Sequence, residues 1–406
     1  MNMIPKHILQ SMAGAAMVIA LTAGAQTPEA PAPASAPAAP TAAQAPAPAA
    51  APAAPTWSVG PMDISGFIDG YYSYNFNTPS SAANGQINDL YNFNDKTDQF
   101  SLSAAKLTLN HDPDPVGAHI DLFYGRTNTL VNAPSPNSGG EGNYIEQAFL
   151  SLKPPKAKGF EFDFGKFVTS AGAEVIESKD NWNYSRSLLF SWAIPYFHFG
   201  ARTSMPVSKV ETIGVQVVNG WNNVTKTNGG ATVGLTSALV KPKYSWNVNY
   251  YVGPENPNTT TGMRNLIDST LLLTPNAKFN AYINYDYGQN RDAFVVTNGG
   301  LPNNDTILNH WEGVAFAARQ QLTSKTALAG RYEYYVDTQG FTTGMGQDLQ
   351  EITATYEYKW VEGLLARFEY RRDWSDATFF HKNDADLVNA QSTVTVGFVA
   401  FFGPKR

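Results

Sequence analysis

The chain has 406 residues, a formal net charge of −6 and no cysteine. Only 15% of it is charged, against about 25% in an average soluble domain, while aromatic residues reach 13%. This excludes a disulfide-stapled scaffold. No basic patch interleaves with the aromatics, so no nucleic-acid partner is expected.

The first element is a targeting segment. Lys6 precedes an apolar run from Ile8 to Leu21, and Ala23-Gly24-Ala25 forms a small-x-small site. Residues 1–25 therefore read as a signal peptide, too short and wrongly flanked for a spanning helix. Residues 26–56 are almost only Ala and Pro. Such a stretch has little to bury and favours extended polyproline II, so it reads as a periplasmic linker.

From Trp57 to Arg406 the dominant period is two, the period of a strand. "MDISGFIDGYYSYNF" puts Ile64, Ile68, Tyr72, Tyr74 and Phe76 on one face, opposite Asp63, Ser65, Asp69, Ser73 and Asn75. "GFEFDFG", "FNAYINYDYG" and "STVTVGFVAFF" repeat the pattern. About sixteen such segments (range 14–18) can be placed. They start near residues 62, 98, 118, 144, 159, 195, 211, 225, 244, 264, 278, 309, 326, 348, 364 and 390. Glycines dilute the one near 225. At Ala104-Ala105 the phase slips by one residue, which predicts a bulge.

Connections alternate long and short. "DPDPVG", "KPPKAKG", "PVSK", "TSK" and "KWVEG" are short, and polar loops lie between them. Short turns on one side, long loops on the other and strands of about ten residues define a transmembrane antiparallel β-barrel. The fold class is thus all-β. A soluble sandwich has no place for inward charge in its dry core. Here the polar face carries Arg331, Glu333, Glu351, Glu357, Arg367, Glu369 and Arg371, with His119, Asp121, His198 and Arg202 on earlier strands. All eleven are candidate pore-lining residues. Arg367 should fall near Glu357 across an antiparallel pair. Phe67, Tyr71, Phe123, Phe149, Tyr251 and Tyr282 could face the lumen or belong to aromatic girdles.

Two stretches invite chemistry. Glu174, Glu177 and Asp180 recur every three residues, but no helix places them together and no paired-acid geometry is visible. No enzyme activity and no cofactor are expected. Histidines lack HxxxH spacing and cysteine is absent, so no metal site is expected. "HKNDADL" at 381–387 has calcium-loop acids without the ordered spacing.

"GKFVTSAGAEVIESKDNWNYSRSLLFSWAIPYFHFGAR" (165–202), "VVNGWNN" (217–223) and "RYEYYVD" (331–337) carry a resemblance. They resemble the family called putative beta-barrel porin-2 (OmpL-like), of Gram-negative outer membranes, over nearly all of residues 57–406. The resemblance implies a passive channel for small hydrophilic solutes in the cell outer membrane. It also implies contact with outer-membrane lipid and lipopolysaccharide, and with the outer-membrane insertion machinery. A homo-trimer is a common state of sixteen-stranded porins. By analogy with general porins, the loop at 165–187 folds inward as a constriction. Glu174, Glu177, Lys179, Asp180 and Arg186 would then face one another, and Trp182 and Tyr184 would anchor the loop to the wall. The rival reading is a structural or adhesive barrel with a closed lumen.

Overall fold

An alternating strand buries nothing unless its two faces meet different solvents. This chain solves that by closing its sheet on itself. The computed structural model describes residues 58–133, 143–291 and 308–404. The signal peptide and the Ala/Pro linker lie outside the described residues.

The described strands are, in chain order, β1 (Ser58–Val59), β2 (Met62–Asn75), β3 (Gln99–His111), β4 (Val116–Tyr124), β5 (Ile145–Leu152), β6 (Glu161–Val168), β7 (Phe197–Pro206), β8 (Glu211–Val218), β9 (Thr232–Lys241), β10 (Tyr244–Gly253), β11 (Arg264–Asn276), β12 (Phe279–Arg291), β13 (Leu308–Gln321), β14 (Thr326–Asp337), β15 (Gln347–Val361), β16 (Leu364–Ser375), β17 (Phe380–Lys382), β18 (Asp386–Val388) and β19 (Ala390–Phe402). From β2 to β16 each pairs antiparallel with the next, β16 pairs with β19, and β19 pairs with β2. The result is a closed sixteen-stranded barrel. β1 adds a small hairpin to β2, and β17 pairs with β18 inside the last long loop.

The faces are inverted relative to a soluble protein. Ile68, Leu150, Phe164, Val215, Leu235, Ile352 and Phe398 are exposed on the outside. Asp69, Ser73, Asp121, Glu333, Glu351 and Thr395 are buried inside. In hydrocarbon only a closed ring pairs every backbone group of a strand. Aromatic residues collect at both ends. Trp360 packs edge-on against Tyr358 and Phe398 at the turn end. At the loop end Tyr72 packs tilted against Phe100, and Tyr124 stacks with Tyr144. Such girdles mark the two membrane interfaces. No described helix is long and apolar enough to cross a membrane.

Most expected strand starts agree with the structure within two residues. The exception is near 225, where the strand begins only at Thr232. The preceding Gly-rich segment is loop, held by Asn228 donating to the carbonyls of Pro254 (2.9 Å) and Asn256 (3.1 Å). The expected bulge is present. Asp69 faces Ala104 but Gly70 faces Leu102, which leaves Ser103 extra. "HKNDADL" forms the β17–β18 hairpin, and His381 Nδ1 lies 3.0 Å from Asp89 of the first long loop. The connection between β12 and β13 lies mostly outside the described residues.

Candidate functional site

The barrel interior is organised by one long loop, residues 169–196, between β6 and β7. It enters the lumen as irregular chain, with a short 3-10 turn (Ser178–Asp180) and a π turn (Leu189–Ala193). Irregular backbone out of water leaves orphan N–H and C=O groups, and each needs a partner. The wall supplies those partners, and that explains most of its charge.

Carboxylates take the N–H groups. Glu369 accepts from Tyr184 N (2.6 Å) and Ser185 N (2.9 Å). Glu333 accepts from Leu188 N (2.7 Å) and Leu189 N (3.2 Å). Arginines take the carbonyls. Arg331 donates to Ser185 O (2.9 Å), Arg371 to Arg186 O (2.7 Å), and Arg367 to Asn181 O (2.6 Å) and Ser178 O. The wall charges also pair among themselves. Arg331 meets Glu351 at 2.5 Å, Arg371 meets Asp373 at 2.7 Å, and Arg367 meets Glu357 at 2.8 Å, the last as the antiparallel register predicted.

The loop side chains do not face one another across an opening as the analogy suggested. Glu174 accepts from Arg331 (2.7 Å) and from Ser187 N (2.6 Å). Glu177 meets Lys106 of β3. Arg186 turns back on its own loop, donating to Tyr184 O (2.7 Å) and Ile176 O, with Phe93 4.8 Å from its guanidinium. Lys179 and Asp180 pair with each other at 2.5 Å and stay partly exposed. Trp182 packs on Tyr282 at 5.1 Å. Tyr184 is fully buried, and its hydroxyl donates to Asp69 at 2.6 Å. A Cβ at Gly397 would lie 2.3 Å from the Tyr184 ring, so only glycine leaves room for it. Glu177 lies off the strands. Its burial favours the neutral acid, but Lys106 and Lys179 overcome that and hold its carboxyl below the ordinary value.

The first long loop, residues 76–98, follows residues 169–196 inward. Asn92 Nδ2 donates to Ser191 O (3.1 Å), and Trp192 Nε1 donates to Leu90 O (2.9 Å). Phe93 packs on Phe190 and Tyr196 at 5.6 and 5.3 Å. Phe67, Tyr71, Phe123, Tyr251 and Tyr282 are interior and buried, and Phe149 is interior and half-buried. None of the six is a girdle residue.

All eleven candidate lining residues point inward, but they divide into two groups. Arg331, Glu333, Glu351, Arg367, Glu369 and Arg371 lie buried beneath the loops. Asp121 and His198 are also covered, His198 stacked on Tyr251 at 5.1 Å. His119, Arg202 and Glu357 keep exposed side-chain surface, 20%, 26% and 17%. Asp69, Lys106, Glu146 and Gly397 were not singled out from sequence. Gly397, a lone glycine inside a strand, was the one readable signal, since such a residue marks a close approach.

These features define an outer-membrane barrel of the porin class, with a folded-in third long loop. The chain belongs to the family described as putative beta-barrel porin-2, OmpL-like, whose model matches residues 61–402. No curated protein is significantly similar in sequence. Solved structures share the fold. An OmpF structure from Salmonella typhi, in complex with daunomycin, is 16% identical, covers 84% of this chain and 97% of its own, and has a TM-score of 0.55. The outer-membrane channel DcaP of Acinetobacter baumannii is 12% identical over 85% and 99%, with a TM-score of 0.54. An anion-selective porin from Comamonas acidovorans is 10% identical over 84% and 99%, with a TM-score of 0.53.

Proposed function

We propose that the barrel passes small hydrophilic solutes by passive diffusion, through a lumen narrowed by residues 169–196. The observation that carries this is the uneven coverage of the interior. The loop is held tightly against β14–β16, β19 and β2, whereas on β4–β7 the inward side chains of His119, Gln147, Phe149 and Arg202 stay partly exposed. A wall that keeps solvent-facing polar groups beside a fixed constriction suits an aqueous path, and sixteen strands enclose a lumen wide enough for one. Homo-trimer assembly and contact with lipopolysaccharide belong to the same reading.

The closed-lumen alternative draws on the other sector, where Arg331, Glu333, Glu351 and Arg371 are sealed from solvent. Liposome swelling with sugars of graded size separates the two. Swelling that falls off with sugar size is expected. No swelling at any size would replace the channel with a closed, loop-displaying barrel.

A further inference from the structure

The arginines of the interior are used in two different ways. Arg331 donates to Glu174, Glu351 and Ser185. Arg367 donates to Glu357 and to loop carbonyls. Arg371 donates to Asp373 and Arg186. Their N–H groups are consumed by the fold. Arg202 differs. Its Nε donates to Asp163 at 2.8 Å, and its two terminal nitrogens make no hydrogen bond to any described residue. Its side chain is 26% exposed, on the sector of wall that the loops leave open.

The guanidinium is nonetheless fixed. Phe149 and Phe167 hold it at 5.0 and 4.5 Å from their ring centroids. Cation–π attraction acts at this distance and holds the group beside both rings. Asp163 is itself fixed, since it also accepts from Ser151 Oγ at 2.6 Å. Phe149 lies directly opposite His119 in the strand register, and His119 stacks on it at 5.1 Å with planes 16° apart. A planar cation with two free, coplanar donors therefore sits beside a half-exposed aromatic shelf.

We propose that Arg202, with Phe149 and His119, is a solute-recognition point of the lumen for small organic carboxylates that carry a flat or apolar body. This rests on the passage proposed above. The two terminal nitrogens match the two oxygens of a carboxylate, the paired geometry that distinguishes arginine from lysine. The shelf receives the apolar body. Asp163 already offsets part of the charge, so binding is weak. A conducting path needs that, because a solute held too firmly does not leave.

The test uses the full chain in planar bilayers and in detergent micelles, with benzoate as probe, benzyl alcohol as its neutral counterpart, and inorganic phosphate. Benzoate is expected to interrupt the KCl current in a concentration-dependent way, and benzyl alcohol is not. Arg202→Met should weaken the benzoate effect roughly ten- to a hundredfold, the scale of losing a charge-assisted pair. Arg202→Lys should lose most of it while keeping the charge. Equal block in wild type and Arg202→Met, equal action of benzyl alcohol, or phosphate acting as strongly as benzoate would each overturn the site. Benzoate binding in micelles, followed by ligand NMR, separates the two readings. Arg202-dependent binding without any KCl conductance removes the passage and keeps the site. Conductance without benzoate binding removes the site and keeps the passage.

Discussion

Two walls of one barrel use the same residue types for different ends. On β14–β16, Arg331, Arg367, Arg371, Glu333 and Glu369 are covered and serve the backbone of the inserted loop. On β4–β7, Arg202 and His119 are partly exposed and serve no loop backbone. Inward position alone therefore does not make a charge part of a pore. What matters is whether an irregular chain segment has come down over it.

The comparison breaks most visibly at Arg331. Arg331→Met leaves Glu174, Glu333 and Glu351 without their common partner. Unpairing a buried charge costs about 3–5 kcal/mol. The variant should unfold at clearly lower denaturant in micelles, and its single-channel conductance should rise and fluctuate as the loop loosens. A stability equal to wild type would mean the covered wall is no more committed than the open one.

Gly397→Ala comes next. The added methyl meets the Tyr184 ring, and overpacking of this kind costs about 1–3 kcal/mol. Thermal unfolding should register it, and conductance should change with it. Unaltered conductance would show that residues 169–196 do not limit the flow. Tyr184→Phe is milder: loss of the hydrogen bond to Asp69 should cost about 1 kcal/mol. Arg202→Met, on the open wall, should cost no more than about 1 kcal/mol, because the lost pair is partly solvated and Asp163 keeps Ser151 Oγ as a partner.

The smallest expected effect is that of pH. Glu177 has its carboxyl held below the ordinary value by Lys106 and Lys179 against the pull of burial. A lowered carboxyl stabilises the folded loop above the ordinary value, about 4.3. That stabilisation is lost as pH falls through that value and below it. Current noise from the loop should increase below about pH 4, and Lys106→Met should remove most of the change between neutral pH and that range.

The barrel was legible because its signals are local. Alternation in "GFEFDFG", the turn residues of "DPDPVG" and the slip at Ala104 each report on a few neighbours, and the register follows from them. The pairing of Arg367 with Glu357 was readable for the same reason. The interior was less legible. Glu174 meets Arg331 across 157 positions and Tyr184 meets Asp69 across 115. No period encodes such contacts. The charge density of 165–187 was a true signal, but sequence could not tell a loop facing water from one whose charges are spent on holding it still. The strand expected at 225 failed for a simpler reason: "TKTNGG" has the outline of alternation but not the side chains to pack.

One contact of Tyr184 bears on assembly. Its hydroxyl reaches Asp69 on the first barrel strand, its ring lies on Gly397 of the last, and its backbone N–H is held by Glu369 on the strand beside it. The junction of β2 and β19 joins residues more than 300 positions apart, such as Asn75 and Thr393. Closing so large a chain loop carries the greatest entropy cost of any strand pair in the ring. A single buried tyrosine therefore straddles the seam from within, in a pocket that exists only once first and last strands have met. The inserted loop is a latch on the cylinder as well as a narrowing of it, and a barrel with an open seam would have nowhere to put it.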